Sequence, residues 1–107
     1  NQLIGSFGVM GGQYQAAGHA YVLSQMIDFG LNPQAALNFP RVFPNNNILD
    51  FEEEFDKEII DDLVSRGHKI NHPAPLIGGG QIILIDNNMD VLIGASDWRK
   101  DGCAIGY

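Results

Sequence analysis

The sequence predicts an α+β fold in which antiparallel strands are covered by helices on one face. Three runs of alternating residues, at positions 3–10, 81–86 and 91–95, are typical of strands. The last two are separated by residues 87–90, whose Asn-Asn-Met-Asp sequence indicates a hairpin turn. Apolar residues at helical spacing fill two longer runs between the first strand and the hairpin, so both kinds of element occur in the chain.

The first helix is predicted at residues 13–29, with Gly30 as its C-terminal cap. A stripe at helical spacing is expected to face the sheet, and it consists of Ala16, Ala20, Leu23 and Ile27. Val22 and Met26 form a second apolar strip. The helix is therefore expected to be covered on more than one side.

The middle of the chain is predicted to contain short elements. Asn32-Pro33 marks a helix start, because Asn caps a helix and Pro suits its first position, and this helix is expected to reach residue 38. Extended segments are expected at residues 40–44, 48–51 and 68–71, with a turn at 45–47 and a loop at 73–80.

A second long helix is predicted at residues 55–66, preceded by Glu52, Glu53 and Glu54. Their negative charge suits the positive end of the helix dipole. The three glutamates are interpreted as a solvated lead-in, since the ligand spacing of a calcium loop is missing. The inward side chains are expected to be Phe55, Ile59, Ile60, Leu63 and Val64.

Composition limits the classes of protein that fit. The 107 residues are enough for one small domain, expected to span residues 1–107. The net charge of -7 argues against a nucleic-acid partner, and no apolar run approaches the roughly 18 residues of a membrane span. The single cysteine, Cys103, is expected to be a small buried residue; it excludes an intrachain disulfide and leaves the cellular compartment open.

Gly11 and Gly12 occupy the junction between the first strand and the first helix. One interpretation is a tight turn that needs glycine because its backbone adopts positive φ. Another is that two backbone N–H groups at the helix start hold an anion or the oxyanion of a reaction intermediate. A phosphate cradle is disfavoured, since neither a P-loop nor a Gly-x-Gly-x-x-Gly pattern follows.

The remaining polar residues favour structural roles. His68 and His72 are four residues apart, but the Pro after His72 argues against a shared helical face, so these two and His19 are interpreted as hydrogen-bonded or solvated rather than metal-ligating. Asp97 and Arg99 are expected to lock the turn after the last strand by charge-assisted hydrogen bonds.

A series of motifs in one order resembles the C-terminal part of the γ-glutamyltranspeptidase family over nearly the whole chain. The motifs are Met10-Gly11-Gly12, Asp28-Phe29-Gly30-Leu31-Asn32-Pro33-Gln34-Ala35-Ala36, Pro40-Arg41, Leu63-Val64-Ser65-Arg66-Gly67-His68, Gly79-Gly80-Gln81, and Gly94-Ala95-Ser96-Asp97-Trp98-Arg99 through Gly106-Tyr107.

The resemblance implies part of an N-terminal-nucleophile hydrolase, an αββα sandwich whose precursor cleaves itself. The new N-terminal Thr attacks a γ-glutamyl amide, and water or an amino acceptor then releases the glutamyl group. The family's paired glycines, which donate N–H bonds to the oxyanion, align with Gly11 and Gly12. No metal or organic cofactor is implied. Met10 and Trp98 stand where the family often has Pro, which indicates a divergent branch.

The family's catalytic Thr, substrate-binding Ser pair and carboxylate-gripping Arg have no counterpart in these residues. The chain is therefore expected to be the end of a small subunit, with Asn1 as an internal start, and to be inactive without the large subunit and the start of the small one. The alternative is a stand-alone binding or assembly module on the same scaffold. An uncovered edge of the first strand predicts self-association.

Overall fold

The computed structural model describes residues 2–107, and Asn1 lies outside the described residues. In chain order the strands are β1 (Gly5–Met10), β2 (Val42–Asn45), β3 (Ile48–Phe51), β4 (Ile70–Asn71), β5 (Gly79–Asp86) and β6 (Val91–Ser96). The α-helices are α1 (Gln15–Ile27), α2 (Pro33–Asn38) and α3 (Lys57–Ser65). The chain divides into two units, one of residues 1–39 with 78–107 and one of residues 40–77.

The first unit contains an antiparallel sheet with the strand order β1-β5-β6. The predicted hairpin joins β5 to β6, and the Asp86 carboxylate accepts hydrogen bonds from the Asn88 and Met89 N–H groups in its turn. In the register, Phe7 is opposite Ile82, which is opposite Ala95 in β6. The strands nearest the two ends of the chain, β1 and β6, thus lie on either side of β5 in one antiparallel sheet, as the α+β prediction requires.

Both helices of this unit cover the same face of the sheet. Val9 and its partner Gly80 lie on that face, since successive residues of a strand alternate between faces. A Cβ on Gly80 would lie 2.5 Å from a Leu37 methyl of α2, and one on Gly18 of α1 would lie 2.7 Å from a Val9 methyl. Glycine at positions 80 and 18 therefore permits the close approach of helix and sheet.

The opposite face of this sheet is only partly covered in the described chain, because the segment after β6 lies beside it: a Cβ on Gly94 would be 3.4 Å from the Ala104 Cβ. Ile83 of β5 is 52% exposed and Leu92 of β6 is 69% exposed. Apolar side chains exposed on one face of a sheet usually pack against a second layer. This sheet therefore has one face covered by helices and one face on which apolar side chains remain exposed.

The helix α1 begins later than predicted and turns a different side to the sheet. Residues Gly12–Tyr14 form a 3-10 turn, and the α-helix starts at Gln15. The predicted sheet-facing stripe is wrong, because Ala16, Ala20, Leu23 and Ile27 are all exposed. The buried residues of α1 are Gly18, Val22 and Gln25.

The helix α2 forms as predicted. The Asn32 side chain accepts a hydrogen bond of 2.8 Å from the Ala35 N–H, and Pro33 is the first helical residue. Its Ala36 and Leu37 are fully buried. The helix ends at Asn38, as the sequence indicates.

The second unit contains the strands β2, β3 and β4 and the helix α3. β2 and β3 form an antiparallel hairpin across Asn46 and Asn47, whose φ angles of 50° and 63° are those of a tight hairpin turn. β3 and β4 pair in parallel, which departs from the wholly antiparallel expectation. Within α3 only Ile60 is buried, whereas Ile59 and Val64, both expected to face inward, are 49% and 52% exposed.

Candidate functional site

The turn between β1 and α1 holds the two glycines singled out from the sequence. Gly11 has φ 142° and Gly12 has φ 59°, and both values lie in the region that L side chains rarely adopt. The Gly11 carbonyl accepts the Tyr14 N–H at 3.1 Å and so closes the turn. The structural interpretation of this pair, a tight turn that needs glycine, is confirmed.

The N–H groups of this turn remain available to a ligand. Among the hydrogen bonds between residues 2–107, none takes its donor from the Gly11 or Gly12 N–H. Both residues are exposed, and a Cβ on Gly12 would meet no atom within 4 Å. The turn therefore presents backbone donors in open space at the start of a helix, where the helix dipole favours negative charge.

The side chain of Tyr14 packs against the turn. Its ring is 3% exposed and lies in a slot lined by three glycines. A Cβ would come within 3.2 Å of a Tyr14 ring atom at Gly11, within 2.6 Å at Gly18 and within 2.7 Å at Gly78. Sequence reasoning missed this residue, because the slot is built from three separate segments of the chain.

Two glycine motifs meet at this turn. Met10 pairs with Gly79 in the sheet, and a Cβ on Gly11 would lie 3.1 Å from the Gly78 Cα. The motif that starts β5 thus lies beside the motif that ends β1. The antiparallel register of the two strands brings them together.

Asp97 and Arg99 form a buried network after β6, as predicted. The Asp97 carboxylate accepts hydrogen bonds from the Gly80 N–H at 2.9 Å, the Arg99 N–H at 3.0 Å and the Arg99 guanidinium at 3.2 Å. The guanidinium also donates to the carbonyls of Leu37 at 2.7 Å and Phe39 at 3.0 Å. The pair therefore joins the hairpin to the C-terminal end of α2.

Glu52 departs from its predicted role. It is 3% exposed, and its carboxylate accepts the Arg41 N–H at 2.9 Å and the Ile77 N–H at 2.8 Å. The Arg41 guanidinium donates to the Ile77 carbonyl at 2.8 Å. The interpretation of Glu52 as a solvated residue is wrong, because its backbone partners come from distant parts of the second unit.

The other candidate side chains do not assemble into a reactive cluster. Cys103 is exposed, so the expectation of a small buried cysteine is wrong. A His72 ring nitrogen contacts the Glu53 carbonyl at 3.2 Å, and His19 is hydrogen-bonded on both ring nitrogens. Within residues 2–107, no group of three or more His, Cys, Asp or Glu side chains could hold a metal ion. The same residues include no helix long and apolar enough to cross a membrane.

Comparison with known proteins defines the family. The family model described as γ-glutamyltranspeptidase matches residues 1–107. The cephalosporin acylase of Bacillus halodurans superimposes with a TM-score of 0.82 and 47% identity, over 92% of this chain and 19% of that one. The acylase ACY 1 proenzyme of Pseudomonas sp. (strain V22) is 32% identical over 80 residues, which are 75% of this chain and 14% of that protein.

A solved γ-glutamyltranspeptidase shares the fold at lower identity. The enzyme from Pseudomonas nitroreducens, complexed with L-DON, has a TM-score of 0.81 and 22% identity, over 97% of this chain and 54% of that one. The chain belongs to the γ-glutamyltranspeptidase family, and its fold is part of the N-terminal-nucleophile hydrolase sandwich. It spans about a fifth or less of the two acylases.

Proposed function

We propose that this chain is the C-terminal part, a single domain over residues 1–107, of a γ-glutamyltranspeptidase-family enzyme and supplies its oxyanion-binding turn. The parent cleaves an amide through an N-terminal Thr that lies elsewhere in the polypeptide. This sequence contains no threonine, and the relatives above are far longer than 107 residues. The open N–H groups of Gly11 and Gly12 are the observation that carries the proposal.

The geometry of the turn suits a tetrahedral intermediate. Attack on an amide carbonyl places negative charge on its oxygen, and two preorganised N–H groups stabilise that charge more in the transition state than in the ground state. The packing of Tyr14 among three glycines holds the turn in place. No side chain caps the 3-10 segment. Each donor lowers the barrier without a cost of reorganisation at the moment of reaction.

The proposal is tested by Gly12→Ala in the complete protein. A Cβ has room there, but φ 59° costs an L residue about 1–2 kcal/mol, so the peptide rotates and its N–H turns away from the oxyanion. We expect kcat to fall roughly 100-fold or more while KM changes little. The assay is steady-state turnover of a chromogenic γ-glutamyl anilide.

Gly30→Ala is the matched control. Gly30 has φ 68° and likewise no atom within 4 Å of its Cβ position, so this change introduces the same kind of strain at a different site. It should lower thermal stability by a similar amount and leave kcat unchanged. Equal kcat values for Gly12→Ala and Gly30→Ala would remove Gly12 from the oxyanion role.

A second candidate substrate class is an acyl amide without a γ-glutamyl group. It is favoured by the 47% identity to the cephalosporin acylase and the 32% identity to acylase ACY 1, against 22% for the γ-glutamyltranspeptidase. Met10 and Trp98, which stand where the family often has Pro, are 57% and 45% exposed. We propose the γ-glutamyl class first, because the family model that covers the whole chain describes it.

A substrate panel separates the two classes. The complete protein is assayed with γ-glutamyl, glutaryl and adipyl anilides, which all carry a terminal carboxylate and differ in the α-amino group and in chain length. A kcat/KM at least tenfold higher for the γ-glutamyl compound than for the glutaryl one shows recognition of the α-amino group and supports a γ-glutamyltransferase or hydrolase. The reverse order supports an acylase. Adding an amino acceptor such as glycylglycine then separates transfer from hydrolysis.

The exposed apolar side chains on the second face of the β1-β5-β6 sheet suggest where the remaining polypeptide of the parent packs. In an αββα sandwich a second sheet covers such a face, and here Ile83 and Leu92 are exposed on it. The rest of the parent is thus the expected partner of this chain, and self-association through the edge of β1 is expected only when that polypeptide is absent. Light scattering of the 107-residue chain and of the complete protein tests both statements.

A further inference from the structure

His19 bridges the two sides of the Gly11–Gly12 turn. The Val9 N–H, two residues before the turn, donates to its Nε2 at 3.2 Å. Its Nδ1 lies 2.7 Å from the carbonyl oxygen of Gln15, the first residue of α1. One imidazole therefore holds the end of the strand and the start of the helix at the same time.

The two contacts define the state of the ring. Because Nε2 accepts from an N–H, it must carry a lone pair, so the proton of the neutral ring is on Nδ1 and is donated to the Gln15 carbonyl. A doubly protonated imidazole has no acceptor and could not bind the Val9 N–H. The bridge exists only in the neutral Nδ1–H tautomer.

The surroundings keep the ring in this position. The Phe7 ring lies beside it with the centroids 5.5 Å apart and the planes inclined at 49°. The preceding residue, Gly18, lies so close to Val9 and Tyr14 that even a methyl group would be within 2.7 Å of both. The helix thus approaches the strand at the level of His19, and the ring spans the remaining distance.

We infer that His19 is a positioning residue for the oxyanion turn, an inference that depends on the proposed role of Gly11 and Gly12. His19 touches neither substrate nor reacting atoms. It fixes the backbone on both sides of the turn, and Tyr14 fixes the turn itself from its glycine slot. Small displacements of a preorganised group lower kcat more than they alter substrate binding, because alignment matters most in the transition state.

Three substitutions in the complete protein separate this role from packing. His19→Gln places an amide oxygen near the Nε2 position and retains an acceptor for the Val9 N–H. His19→Asn places an amide nitrogen near the Nδ1 position and retains only the bond to Gln15. His19→Phe retains the packing on Phe7 and removes both hydrogen bonds.

The three variants are expected to differ in kcat. His19→Asn and His19→Phe should lower kcat about 10- to 100-fold with KM changed less than about threefold. His19→Gln should stay within about threefold of the wild-type kcat, because it keeps the Val9 bond, the one of the two that crosses from β1 to α1. His68→Asn is the control, since His68 is an exposed histidine in the other unit. Wild-type kcat in both His19→Asn and His19→Phe would overturn the inference, as would an equal loss in all three variants.

Two further measurements keep the outcomes distinct. The 15N spectrum of histidine-labelled wild-type protein should show one neutral ring protonated on Nδ1, and a His19 ring protonated on Nε2 would contradict the inference even if the variants fail to fold. Gly12→Ala is assayed in parallel. If it leaves kcat unchanged, the proposed oxyanion role is wrong; if it lowers kcat and the His19 variants do not, only the positioning role is wrong.

Discussion

Replacing Asp97 by Asn should lower the free energy of unfolding of the chain strongly. Asp97 is 0% exposed and its carboxylate accepts three hydrogen bonds, two of them from Arg99. The Arg99 side chain is 1% exposed, so removing the negative charge takes the Asp97 carboxylate away from a buried guanidinium. Breaking a buried pair in this way typically costs about 3–5 kcal/mol.

That loss is a large share of the stability of a small domain. Domains of this size unfold with about 5–15 kcal/mol, and a loss of 1 kcal/mol lowers Tm by roughly 4–8 °C. The expected shift for Asp97→Asn is therefore at least about 12 °C. Urea unfolding can be followed by the fluorescence of Trp98, the single tryptophan, whose ring lies 5.0 Å from the Arg99 guanidinium carbon.

Asp62→Asn is the matched control, because Asp62 pairs with Arg66 at 2.8 Å on the surface, where the two side chains are 55% and 68% exposed. An exposed pair of this kind contributes about 0–1 kcal/mol. The double variant Asp97→Asn with Arg99→Met should recover part of the loss, since it also removes the buried positive charge. A loss below about 1 kcal/mol for Asp97→Asn, similar to that for Asp62→Asn, would refute the reasoning.

Two further predictions concern the helices of the first unit. Gly18→Ala should lose about 1–3 kcal/mol in urea unfolding, because its Cβ would lie 2.6 Å from the Tyr14 ring. Gly106→Ala, with no atom within 4 Å, should lose less than about 0.5 kcal/mol, and equal losses would contradict the close-packing argument. Asn32→Ala should cost about 1 kcal/mol by leaving the Ala35 N–H without its cap, whereas an unchanged urea midpoint would exclude that contribution.

Local chemistry explains which elements the sequence could predict. Asn32 caps α2 because its side chain accepts a backbone N–H of the first turn and Pro33 suits the first helical position. Asn46 and Asn47 adopt positive φ in a two-residue hairpin turn. The ion pair between Asp97 and Arg99 was predictable because the two residues are only two positions apart in the chain. Each of these features depends on residues within a few positions of one another.

Features set by distant segments could not be predicted in the same way. The helix α1 buries the side that carries Gly18, because this residue allows close approach to β1. The predicted stripe of larger apolar residues is on another side of the helix. Glu52 is buried because its carboxylate meets the backbone of Arg41 and Ile77. Neither contact leaves a periodic pattern in the sequence.

The candidate site was predictable in part. Adjacent glycines at a strand–helix junction indicate positive φ, which both residues adopt. The slot around Tyr14 and the bridge through His19 were not predictable, since their partners include Gly78 and Val9. The oxyanion role of Gly11 and Gly12 stays a prediction until kinetics test it.

We propose that this chain holds the oxyanion turn of an enzyme whose nucleophile lies elsewhere in its polypeptide. Turnover of a chromogenic γ-glutamyl anilide, with glutaryl and adipyl anilides beside it, tests that claim most directly. The complete protein should hydrolyse at least one of these amides, and the 107-residue chain alone should release no chromophore above background. Turnover by the isolated chain, or none by the complete and processed protein, would contradict the account.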